Sequence, residues 1–262
     1  MDVKITEKAA NNIYFSGLLE TVDMQQLLKK TGAGLETIQF GVSDNLDNYK
    51  ETMQKEKELL KRYGDPAVTV HGPFLDLNPM CYDRMVRDIT MLRFNQAYEA
   101  AQELEADRIV FHSCMVPTVY YLYGWAERMA EFFNRFMEGK KGIPVCMENV
   151  LDRECIPFLE VAEQVESPDF GICLDLGHAW CYSNHTIEEW VDLLKGKIRH
   201  VHLHDNDRTA DQHRALGNGT VPWEEAVRIL QGQRQEITWT IENNTLEDAE
   251  LSWNRLCRQM EK

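Results

Sequence analysis

The chain has 262 residues, 44% of them hydrophobic, and its 28 Lys and Arg stand against 43 Asp and Glu for a formal charge of -15. That length and core-forming content suit one large domain over residues 1-262, and no Pro/Gly/Ser-rich linker, low-complexity tract or short repeat divides it. The charge argues against nucleic acid and anionic membranes as partners, because no Lys/Arg cluster offers a basic surface and only bound cations could reverse the field.

The opening segment MDVKITEKAANN is polar where a signal peptide needs an apolar centre, and no stretch approaches the roughly 18 apolar residues of a membrane span, so a cytoplasmic protein is expected. Short apolar runs then predict strands at 13-16, 35-40, 67-71, 108-112, 144-148 and 170-175. Cys146 and Cys173 sit inside two of these runs; with seven cysteines and no CxxC pair, reduced core thiols are expected rather than disulfides. Thr186 and Glu189 form a capping box ahead of a helix with Ile187, Trp190, Val191 and Leu194 on one face. A seventh strand is predicted at 198-204, a helix starting at Pro222 with Trp223, Ala226, Val227 and Leu230 aligned, and an eighth strand at 238-242. The last helix places Leu246, Ala249, Trp253, Leu256 and Met260 at three- and four-residue steps, a stripe suited to covering a sheet. Eight strand-helix alternations describe a (β/α)8 TIM barrel, with a doubly wound open sheet as the alternative.

The chemistry sits at the ends of these runs. His71, His112, Glu148, Asp175, His202 and Glu242 each close or nearly close a predicted strand, and His178, Asp211 and His213 follow in the connecting segments. All nine are residue types that bind zinc, manganese or iron, and a barrel gathers its strand ends on one face. An open sheet would collect ligands at one switch point instead of six strand ends. Four clustered carboxylates, Glu148, Asp175, Asp211 and Glu242, would repel one another without a counterion, so at least one divalent metal is expected. About two divalent ions balance them, about three leave a surplus suited to phosphate, and one leaves a negative site suited to a neutral sugar.

The segments VTVHGPF, IVFHS, VCMENV, LDLGHA, HVHLHDND, DQHRALGNGTVPW and TIENN together resemble the ordered signature of the xylose isomerase-like barrel superfamily, over nearly the whole chain. That superfamily holds sugar and sugar-phosphate isomerases and epimerases and the endonuclease IV group of AP endonucleases. The resemblance to endonuclease IV implies that all nine residues are ligands of a three-zinc site. The resemblance to ketose 3-epimerases implies that Glu148, Asp175, His202 and Glu242 hold one metal, that Glu148 and Glu242 move the proton, and that His178 and Arg208 hold substrate oxygens. Phe74 and Trp180 are further candidates for the substrate pocket; Phe74 could equally be a base-stacking wedge or pack a loop.

Three readings follow. In the first, a divalent metal, zinc or manganese, chelates a carbonyl and the adjacent hydroxyl of a small sugar, sugar phosphate or polyol, and Glu148 and Glu242 act as acid and base. In the second, up to three zinc ions hydrolyse a phosphoester, which gives His71, His112, Asp211 and His213 their purpose. In the third, the barrel is a scaffold without turnover, although four repelling carboxylates would then be a cost without a use. The segment GVSDNLDNY is acidic and polar where a DNA-gripping enzyme wants Arg or Lys, and GHAWCYS and HLHDND resemble the isomerase/epimerase branch, so the first reading is preferred. His204 and Asp205 are expected to support ligands, His200 to be structural and His185 to lie at the surface, and a homodimer is compatible with the family.

Overall fold

In the computed structural model, which describes residues 12-233 and 236-262, the eight apolar runs pair in sequence order into a closed parallel barrel. The strands are β1 (Ile13–Ser16), β2 (Gly34–Thr37), β3 (Val68–His71), β4 (Ile109–His112), β5 (Val145–Glu148), β6 (Phe170–Asp175), β7 (Ile198–Leu203) and β8 (Thr238–Ile241). Closure is made by β8 pairing with β1, Ile13 opposite Trp239. The described helices are α1 (Thr21–Thr31), α2 (Ser43–Asp47), α3 (Tyr49–Tyr63), α4 (Arg84–Glu103), α5 (Trp125–Met137), α6 (Ile156–Gln164), α7 (Leu176–Tyr182), α8 (Ile187–Leu193), α9 (Trp223–Gln231) and α10 (Leu246–Met260). Most of the polar start MDVKITEKAANN lies outside the described residues. No described helix is long and apolar enough to cross a membrane.

Nearly every strand residue is buried, because side chains alternate between the barrel interior and the helical shell and neither direction reaches water. The shell side is aromatic around α4 and α5: Phe94 and Phe111 stack with centroids 3.9 Å apart, and Phe136 meets Phe111 edge-on at 5.5 Å. Gly72, directly after His71, leaves room for this packing, since a Cβ there would lie 2.3 Å from the Phe111 ring.

One predicted boundary is corrected. The run expected as a strand at 35-40 leaves the sheet at Thr37, and Gln39–Gly41 form a 3-10 turn. The cause is local: Thr37 Oγ1 accepts the Gln39 N-H, Ile38 turns to ψ near 1°, and Phe40 is buried against Tyr49 on α3 instead of pairing with β3. Its apolar character reflects burial in a loop, which hydrophobicity alone does not separate from a strand. His204 and Glu242 likewise fall one residue beyond β7 and β8, and Pro222 is the cap before α9, which starts at Trp223.

The predicted capping box is present: Thr186 Oγ1 accepts from Glu189 N at 3.2 Å and Glu189 Oε2 accepts from Thr186 N at 2.7 Å. Thr186→Ala should therefore cost about 1 kcal/mol, read as a lower urea midpoint with an unchanged slope. A midpoint equal to that of the parent would mean that packing of Trp190 alone holds α8.

Candidate metal centre

All nine predicted residues meet at the carboxyl-terminal face of the barrel, and they form three adjoining groups. His202 Nδ1 is the centre of the deepest one, 3.2 Å from Glu148 Oε1, 3.4 Å from Glu242 Oε1 and 3.9 Å from Asp175 Oδ2. Toward β3 and β4, His71 Nε2 and His112 Nε2 lie 3.2 Å apart, and 3.4 and 3.5 Å from Glu148 Oε2. On the other side Asp211 Oδ2 stands 3.2 Å from His178 Nε2 and 3.3 Å from His213 Nε2. Glu148 thus joins two groups through its two oxygens.

These separations fit a divalent metal. Donor atoms about 2.1 Å from a tetrahedral zinc lie about 3.4 Å from one another, close to the contacts of 3.2 to 3.5 Å in the three groups, with Asp175 farther from His202 at 3.9 Å. Glu148 Oε2, Asp175 Oδ2 and Asp211 Oδ1 are buried and accept no hydrogen bond, a costly state for carboxylate oxygens unless a cation faces them. The imidazoles are oriented for the same purpose. His71 Nδ1 donates to the Gly72 carbonyl at 3.0 Å, His178 Nδ1 to the Asn149 carbonyl at 3.1 Å and His213 Nδ1 to the Glu242 carbonyl at 2.8 Å. Fixing the proton on Nδ1 in each ring leaves the Nε2 lone pair to point into the centre. Asn149 also clamps Asp175, accepting from its N-H and donating to its carbonyl, both at 2.9 Å.

The charges agree with this reading. Burial would raise the pKa values of Glu148 and Asp175, but the surrounding imidazoles outweigh it and hold both below the usual carboxylate range. Burial raises Glu242, and the Asp175 and Glu148 carboxylates add to the rise. Burial depresses His112 to about 3, so its ring is neutral, whereas His178 and His202 overcome burial through their carboxylate neighbours and are raised. His213 is raised to about 9, burial being outweighed by Asp211 and Glu242. Protons on these rings occupy the positions that a cation would take, so zinc added to metal-free protein in weak buffer at pH 7 should release protons. Zinc binding with no net proton release would mean that the raised histidines are not ligands.

The remaining expectations divide. Phe74 lines the cavity above the centre and stacks on His112 at 4.3 Å. Arg208 and Trp180 do not line it: the guanidinium lies 4.4 Å over the Trp180 ring and Arg208 Nε donates to the Trp180 carbonyl. His204 reaches the centre, with Nε2 3.2 Å from Asp175 Oδ1 and Nδ1 3.6 Å from Asp211 Oδ1, and Gly177 makes room for its ring. Asp205 is engaged elsewhere, accepting from Gly217 N and Val221 N to shape the following loop. His200 is fully buried below the centre, and His185 is half-buried, pairing with Glu154 at 2.8 Å away from it. Glu36, which no sequence motif singles out, places Oε1 3.1 Å from His202 Nε2. Its signal was a carboxylate inside an apolar run.

Comparison with known proteins follows the same lines. Residues 27–260 match the family model described as xylose isomerase-like TIM barrel. An uncharacterized protein of Methanocaldococcus jannaschii is 31% identical over 206 residues, 73% of this chain and 69% of that one. A crystal structure of a D-tagatose 3-epimerase-like protein superposes with a TM-score of 0.76 at 26% identity, covering 95% of this chain and 97% of the other. Endonuclease IV from Thermus thermophilus shares the fold at a TM-score of 0.66 and 16% identity, over 95% and 99% of the two chains. With its closed eight-stranded barrel and a family match over most of its length, the chain belongs to the xylose isomerase-like TIM barrel family.

Proposed function

We propose that the protein is a divalent-metal-dependent isomerase or epimerase of a small carbohydrate or related hydroxy-carbonyl compound. The observation that carries this reading is the deepest group, in which His202 Nδ1 faces Glu148, Asp175 and Glu242. Bound there, zinc or manganese would chelate a carbonyl and its neighbouring hydroxyl and acidify the carbon between them. Glu148 closes β5 and Glu242 follows β8, three strands farther around the barrel mouth, so the two carboxylates would approach a substrate bound at the centre from different directions. One removes the proton and the other returns it. Glu242 suits this work because burial and its carboxylate neighbours raise its pKa above the ordinary carboxylate value. The likeness to a D-tagatose 3-epimerase-like protein supports the same class.

A second reading, a multinuclear zinc phosphoesterase, is favoured by one observation: the His71–His112 and His178–Asp211–His213 groups exceed what a single ion needs. Elemental mass spectrometry of gently purified protein separates the two, with about one metal per chain expected for the isomerase and two or three zinc ions for the phosphoesterase. The direct test is deuterium uptake from heavy water into a panel of ketoses by the metal-loaded protein. Absence of exchange across that panel, with incision of an abasic oligonucleotide, would replace the first reading with the second.

A further inference from the structure

The cavity over the metal centre has a polar floor and an apolar rim. Its floor is seven of the nine candidate ligands, all but Asp175 and His202, which lie beneath it; around it stand Leu18, Ile38, Val42, Phe74, Leu75 and Val150. Beyond the candidate ligands, Ser16 is the one polar side chain among the described lining residues, and no described lysine or arginine lines the cavity. The rim comes from four separate strand-to-helix loops, after β1, β2, β3 and β5. Leu75 is 62% exposed and Val42 42%, with Phe74 and Leu18 close behind. Single exposed apolar residues are ordinary, but an arc of them along one side of a concave site marks a surface suited to an apolar ligand group.

Chemistry narrows what covers it. A ketohexose bound by its hydroxy-carbonyl head would bring its distal hydroxyls against this rim, where each one buried without a partner weakens binding about fivefold or more. A phosphate on the tail would meet no described lysine or arginine at the rim, in a chain whose formal charge is -15. An alkyl, aryl or deoxygenated tail gains from the same contact.

Resting on the isomerase reading, we infer that the substrate is a hydroxy-carbonyl compound with a polar reacting head and an uncharged, apolar tail, a deoxygenated sugar or an alkyl- or aryl-substituted hydroxyketone. The test is calorimetric titration of the metal-loaded full chain with 1-hydroxy-2-alkanones of four to eight carbons, beside D-fructose and D-fructose 6-phosphate. Binding should tighten about fourfold per methylene until the rim is filled. Leu75→Ser should flatten that series, its unchanged metal content showing that the barrel is intact. A flat series in the parent protein, or tighter binding of fructose 6-phosphate than of every alkanone, overturns the inference. Deuterium exchange is read separately: a rising series without exchange supports apolar recognition and removes the isomerase reading, and exchange on ketoses with a flat series does the reverse.

Discussion

Glu242→Gln in the metal-loaded protein should lower deuterium exchange into its substrate by about 10²–10⁴-fold, the usual contribution of a positioned acid or base. The amide keeps the shape and an oxygen ligand but cannot carry the proton. Glu242 Oε1 stands 3.4 Å from His202 Nδ1, and the other residues around that point, His202, Glu148 and Asp175, survive the change. Metal content should therefore stay near that of the parent, and the loss should appear in the rate. Glu148→Gln should differ in kind. Its Oε1 faces His202 and its Oε2 faces both His71 and His112, so removing its charge weakens two groups together. Here exchange and metal retention should fall together. Parental exchange in Glu242→Gln would remove the paired-glutamate mechanism, and parental metal content in Glu148→Gln would remove its bridging role.

The barrel and the nine converging residues were legible because both depend on period and position. A parallel strand buried on both sides reads as an uninterrupted apolar run, and the end of such a run in a closed barrel is on the active face whichever strand it belongs to. His71, Glu148 and Asp175 close their strands as the sequence indicated. What was not legible is three-dimensional pairing. Arg208 and Trp180 stand 28 residues apart, and nothing in their spacing says that guanidinium stacks on indole, away from the cavity. Asp205 neighbours His204 in sequence, yet its carboxylate turns to loop amides rather than to the centre. Phe40 continued a hydrophobic run that the backbone had already left, because burial in a loop and burial in a strand demand the same side chain.

Glu36→Gln should weaken zinc binding by about 10–100-fold, although Glu36 belongs to none of the three groups. Its carboxylate lies wholly buried in the barrel interior beneath the centre, where Oε2 accepts from His200 Nε2 at 3.1 Å and from the hydroxyls of Thr69 and Thr240, each at 3.0 Å. Those three donors from β3, β7 and β8 fix one oxygen and leave the other 3.1 Å from His202 Nε2, a charge contact rather than an aligned hydrogen bond. A carboxylate there keeps the imidazole proton on Nε2 and leaves Nδ1 free as the donor atom facing Glu148, Asp175 and Glu242. Burial opposes the negative charge on Glu36, but His202 and His200 hold it well below the usual carboxylate range, so the charge is present to do this. Glutamine would keep the volume and lose that charge, and the His202 ring would no longer be fixed in one tautomer. Zinc affinity measured by chelator competition, beside the urea midpoint of the metal-free protein, separates the two ways the residue could matter. A lower midpoint with zinc affinity within about twofold of the parent would make Glu36 a piece of barrel packing; lost affinity with the midpoint retained would make it the group that sets His202.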